Sequence, residues 1–210
     1  MKTRHLIFVL AFLPLLAISQ NISGLDEIAP FSEGLAAVRK GNQWGFINRE
    51  GKLVIDFRSD LVWNEHASSD RDDAKGIAYP MFNDGRVMIK KTLDEEGIAL
   101  YGFLDTQGNM VIEPEYLNVT GFKDGYAVGI LLTKTFRGEN TFQLRIYDYK
   151  FSEVVLNTNG DIVHLVEQRK GVQMSKKRYV LPELNAKILG KDLLAVRNEA
   201  NTWDVIKAAF

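Results

Sequence analysis

The side chains able to carry chemistry are few and scattered. There are three histidines and no cysteine. His66 follows Glu65 in a polar stretch, and His164 stands in a run of alternating apolar residues. Neither has a second metal ligand at a useful spacing, and zinc sites built on thiolates are ruled out without cysteine. Both read as solvated or strand-surface side chains. Asp70, Asp72 and Asp73 are hard oxygen ligands that would suit calcium. A calcium loop also needs acids at alternate positions, a central glycine and a closing glutamate, and here Arg71 interrupts and the other two are misplaced. A solvated acidic loop is expected there, and likewise at Asp94, Glu95 and Glu96. Asp84 and Asp124 would make the acid pair of a hydrolase if the fold brought them together, yet both hold the same position in a repeated turn. A serine triad needs no adjacency in sequence, but no Gly-x-Ser-x-Gly elbow and no glycine-rich phosphate loop is present. No catalytic, metal-binding or cofactor-binding residue is assigned, and no cofactor is expected.

Trp44, Tyr101 and Trp203 are the remaining candidates, because they fall at equivalent places in a repeat. Such a row could stack on sugar rings or on a peptide. Aromatic residues at one fixed repeat position more often close the core, and that is the expectation here.

Two patterns define the repeat. The first is an aromatic residue, then an acid and a glycine, then alternating apolar residues. It runs from Phe31 through Glu33-Gly34 to Val38, from Phe82 through Asp84-Gly85 to Ile89, and from Phe122 through Asp124-Gly125 to Gly129. A weaker copy is Gly190-Lys191-Asp192-Leu193-Leu194-Ala195-Val196. Acid-Gly is turn chemistry, and the alternation behind it is that of a half-buried strand. The second pattern is strand, four-residue turn, strand. The turns are Asn48 to Gly51, Asp105 to Gly108 and Asn157 to Gly160, with apolar runs on both sides. Three copies of Asn/Asp-x-x-Gly predict three hairpins. In the third, Val154-Val155-Leu156 leads in without Trp or Gly. A last segment starts again: Leu194 to Arg197 echoes Ala36 to Arg39, and Trp203 to Ile206 echoes Trp44 to Ile47 with one residue inserted between the strands.

The units therefore cover about 26–80, 81–121, 122–180 and, as a partial copy, 181–210. Polar inserts at Asp56 to Pro80, Thr133 to Asn140 and Glu167 to Lys177 are expected as loops or longer hairpins on one rim. Residues 182–190 carry a weak signal for a short helical turn ending at Gly190. One hairpin cannot bury its own apolar face, so the expected fold is all-β, an array of antiparallel hairpin repeats. An open curved sheet is favoured over a barrel or a propeller-like closure, since the units are uneven.

These residues carry a family resemblance. Asp26 to Arg39, followed by Trp44-Gly45-Phe46-Ile47-Asn48 and Gly51 to Ile55, resembles the WG-repeat family of bacterial proteins. The second unit is similar and adds Ile112-Glu113-Pro114-Glu115-Tyr116, which resembles that family's linker, although Tyr101 replaces the Trp. The third unit keeps only the acid-Gly and Asn-x-x-Gly pieces, and the fourth has the Trp but Asp204 for the Gly. The resemblance implies an all-β protein that mediates binding, and it supplies no catalytic residues.

The first nineteen residues predict the compartment. Lys2, Arg4 and His5 form a basic head, Leu6 to Ile18 is apolar but for Pro14, and Ala17-Ile18-Ser19 suits signal peptidase. A removable export signal over 1–19 is expected, leaving one domain over 20–210. The apolar run is shorter than the roughly 20 residues that span a bilayer. The mature chain should then be soluble in the periplasm or outside the cell, with no membrane span and, lacking a thiol, no lipid anchor at the cleavage site. The formal net charge of −1 argues against a nucleic-acid partner. Asn21-Ile22-Ser23 and Asn118-Val119-Thr120 match a glycosylation acceptor, which a bacterial source would leave unused. The expected function is that of an exported binding module for an unknown protein or glycan. A self-assembling envelope component and a carboxylate-dependent hydrolase are the alternatives, and the oligomeric state is open.

Overall fold

The computed structural model describes residues 22–208 and 210, so the expected export signal over 1–19 lies outside the described residues. Among these residues thirteen strands follow in order. The first sheet holds β1 (Glu27–Ile28), β2 (Leu35–Lys40), β3 (Gln43–Asn48) and β4 (Leu53–Arg58). The second holds β5 (Val87–Thr92), β6 (Ala99–Leu104), β7 (Met110–Val119), β8 (Tyr126–Glu139), β9 (Arg145–Asn157) and β10 (Ile162–Arg169). The third holds β11 (Ala186–Gly190), β12 (Leu193–Arg197) and β13 (Trp203–Lys207). Neighbours in each sheet are consecutive in the chain and antiparallel, and no sheet closes on itself. The protein is all-β with open sheets, and no helix occurs among the described residues.

Turn chemistry explains the meander. Glu33-Gly34, Asp84-Gly85 and Asp124-Gly125 all have positive φ, between 49° and 88°. Each pair joins a bridge of its two flanking residues, such as Ser32 to Leu35. Two consecutive positive φ angles make a type I′ turn, whose twist matches that of its strands. In the second pattern the Asn48 Oδ1 accepts hydrogen bonds from the Glu50 and Lys52 N–H groups. Asp105 and Asn157 repeat this in the other hairpins. Asn140 and Asn198 build the same turn without an Asn-x-x-Gly signature.

The units stack face to face. Leu35, Ala37, Trp44, Phe46 and Ile55 pack against Phe82, Val87, Ile89 and Leu104 of the second unit. The other face of the second unit, with Met88, Phe103 and Ile112, packs against Ala127, Val154 and Leu156 of the third. Val128 and Val155 of the third then meet Ala186 and Leu194 of the fourth. Successive side chains on a strand point to opposite faces, so one strand serves two interfaces.

Two expectations need correction, and a third is met in one of its two forms. Residues 182–190 form no helical turn. Ala186–Gly190 is β11, paired with β12 and buried at Ala186 against the third unit. Thr133 to Asn140 takes the second of its two expected forms, a longer hairpin, in which β8 and β9 extend together as an arm to Glu139 and Arg145. The insert from Asp56 to Pro80 is no solvated rim loop. Leu61 and Val62 are buried, Leu61 bridges to Ile89 on β5, and Asp73 bridges to Thr120.

Candidate functional site

The aromatic position of the repeat is fixed by strand register. Arg39 faces Trp44, Lys90 faces Tyr101, Ile130 faces Glu153 and Arg197 faces Trp203 as direct partners. Trp44, Tyr101 and Trp203 are therefore equivalent, as the sequence suggested. Their surroundings differ. Trp44 is 1% exposed, with its ring edge-on to Trp63 at 5.9 Å and the Arg39 guanidinium beside both. Tyr101 is partly buried against the core between the second and third units. Trp203 is 40% exposed, which corrects the expectation of a core residue. The cause is positional: Trp44 lies in the core that the first unit shares with the second, with Trp63 against its ring, and among the described residues no unit follows the fourth. The Arg197 guanidinium lies 4.9 Å and the Lys187 ammonium 5.4 Å from the Trp203 ring centroid. Leu189, Leu193 and Val205 are exposed as well.

The third unit places Glu153 where the others carry an aromatic. Sequence reasoning missed it, although Glu153 stands as far before Asn157 as Trp44 does before Asn48. It is fully buried. Arg169 donates to one carboxylate oxygen at 2.7 Å and the Asn185 N–H to the other at 2.6 Å. Burial pushes this carboxyl above the usual carboxylate range, and Arg169 and the Asn185 N–H offset that only in part. The group ties the linker of the fourth unit to the third.

The acidic stretch is also put to structural use. Arg71 pairs through its Nε and Nη2 with both carboxylate oxygens of Asp73. Asn118, fully buried, donates to Asp73 and to the Pro182 carbonyl, both at 2.8 Å. Burial drives the Asp73 carboxyl up, but hydrogen bonds from Arg71 and Asn118 outweigh it and hold it below its usual range. Asn118 belongs to one of the two acceptor motifs, and its amide is locked in this network. Around it lies a polar cavity of about 250 Å³ lined by Asp70 to Asp73, Glu183, Lys187 and Arg197. Glu183 reaches Arg71 at 3.8 Å and Arg197 at 3.7 Å. Within this cleft Asp73 and Glu183 are paired with Arg71 and Arg197.

Glu96 was expected to be solvated and is not. It accepts hydrogen bonds from Lys134 at 2.9 Å and Tyr149 at 2.6 Å. Burial raises its carboxyl, yet those two donors hold it below the normal range. His66 is exposed, and His164 is partly buried with its ring edge-on to Phe210 at 6.1 Å. Asp84 accepts the Gly125 N–H at 2.8 Å, and Glu33 accepts the Gly85 N–H at the same distance. Each turn acid thus clasps the turn glycine of the next unit. What the arrangement offers chemically is an exposed aromatic flanked by two cations on the last unit, beside an uncovered strand.

A family model described as WG containing repeat matches residues 25–44, 44–66 and 101–128. Comparison with curated proteins and with solved structures finds no match.

Proposed function

We propose that this chain, which carries WG-containing repeats at three places within residues 25–128, works as an exported, non-catalytic interaction module for a protein or glycan. One observation carries this reading. In the first unit the aromatic-bearing face is covered by the next unit, whereas in the fourth it leaves Trp203 exposed between Arg197 and Lys187. An aromatic face with guanidinium and ammonium donors at its rim suits a sugar ring or an extended polypeptide. The turn acids that a hydrolase would need hold backbone N–H groups instead, which supports a binding role over catalysis. The basic head and apolar run of residues 1–19 support export.

Two measurements test this. The mass of the protein recovered outside the cytoplasm should correspond to a chain beginning at Gln20. Immobilised chain 20–210, offered a glycan array and an envelope extract, should retain a ligand that Trp203→Ala releases. A product kept in the cytoplasm, or the absence of any retained ligand, would overturn the reading. The exposed apolar strand β13 favours one second reading, a component that assembles with itself. That reading requires a mass in sedimentation that rises with concentration.

A further inference from the structure

β13 lies at the edge of its sheet, and all five of its residues are exposed. A sheet edge presents unpaired backbone N–H and C=O groups to solvent. The first unit shows what belongs beside such a strand. There β3 is flanked by β4, with Phe46 facing Ile55 and Ile47 facing Leu53. By register, Trp203 and Val205 are the counterparts of Trp44 and Phe46, yet they are 40% and 62% exposed against 1% for each counterpart. Beyond β13 the Ala208 N–H extends the pairing with β12 by bonding to the Asp192 carbonyl, and Phe210 packs on Tyr126 at 4.7 Å, so neither lies along the outer edge of β13. The outer edge of β13 is thus uncovered among the described residues.

We propose that β13 receives an extended segment of a partner protein as an added antiparallel strand. This rests on the reading of the chain as an interaction module. The segment's chemistry follows from the register. Gly45 lets β4 approach so closely that a Cβ there would lie 2.8 Å from the Ile55 carbonyl oxygen. Asp204 replaces that glycine, so the added strand keeps the regular spacing with which β12 and β13 pair. Aliphatic residues then fall opposite Val205 and Trp203. A basic residue falls between them, opposite Asp204, and an acidic one opposite Lys207. Opposite charges stabilise directly facing positions and like charges weaken them. The partner strand therefore reads acid, any residue, aliphatic, base, aliphatic.

The probe is the blocked peptide Glu-Thr-Ile-Lys-Val-Glu, titrated into the full chain while tryptophan emission is followed. Saturable blue-shifted emission is expected, and Trp203→Phe should abolish it. Val205→Lys, at an exposed site and with unfolding temperature checked, should weaken binding at least tenfold. Exchanging Lys and Glu in the peptide should weaken it by a similar factor. No saturable change up to millimolar peptide would overturn the proposal. So would binding that survives Val205→Lys, or a concentration-dependent dimer that the peptide does not dissociate, since the edge would then belong to a second copy. If the peptide fails while the chain still retains a glycan or protein through Trp203, only strand addition falls. If both fail, the interaction reading falls with it.

Discussion

At the scale of single residues, two neighbouring sites of the repeat make opposite demands on their side chains. Gly102 is there because β7 comes too close for a side chain: a Cβ would lie 2.4 Å from the Ile112 carbonyl oxygen. Gly102→Ala should cost about 1–3 kcal/mol through forced displacement of β7, measured by urea unfolding. Glu153, one unit further on, takes the aromatic position and buries a charge. Arg169→Ala leaves that carboxylate without its counter-ion, held only by the Asn185 N–H, and should cost about 3 kcal/mol at neutral pH. The sign with pH follows from the raised carboxyl. A group that binds its proton more tightly when folded contributes stability fully below its unfolded value, about 4.3, and loses it as pH rises through the folded one. The deficit of Arg169→Ala should therefore shrink on acidification, and unfolding curves at pH 7 and pH 4.5 check it. Asp73 has the opposite sign. Its lowered carboxyl contributes stability above an unfolded value near 3.9 that is lost as pH falls through the folded one. Asp73→Asn should lower stability at pH 7 and flatten the acid limb of the stability profile.

At the scale of elements, the array is joined by recurring contacts between turns. Glu33 clasps Gly85 and Asp84 clasps Gly125, while Gly108 rests on Ile55 and Gly160 on Ile112. The acid of the turn thus has a use beyond the turn itself. Glu33→Ala and Asp84→Ala should each cost roughly 1 kcal/mol, near the central net value of a hydrogen bond. Because the two rungs lie at different interfaces, the double variant should show nearly additive loss. Marked excess over additivity in the unfolding free energies would mean that the three units behave as one cooperative block.

For the whole molecule, stacking in one direction leaves the two sides of a unit unequal. Trp44 lies in the core between the first two units, and among the described residues no further unit packs on Trp203. Trp44→Ala should cost about 3–5 kcal/mol, while Trp203→Ala should cost no more than about 1.5 kcal/mol, given the area it already leaves in water. Equal losses at the two sites, measured by thermal unfolding, would show that the terminal face is covered in solution by something other than water.

Much of the fold was legible in residues alone. Turn chemistry and two-residue alternation are local properties, so Asn48, Asp105 and Asn157 announced their hairpins, and the echo of Arg39 and Trp44 in Arg197 and Trp203 held in the strand register. The short strand β11 was missed because its cause is not local: Ala186 is buried by the third unit. The same reason hid the roles of the charged residues. Glu153 meets Arg169 and Asn185, 16 and 32 residues away, and Asp73 meets Asn118 45 residues away. A solvated acid and a buried, paired one look alike in sequence, since their difference lies in what the fold sets against them. Sequence determined that Trp203 holds the aromatic place of the repeat; only the tertiary structure decided that its face is open, because exposure depends on whether another unit packs against it.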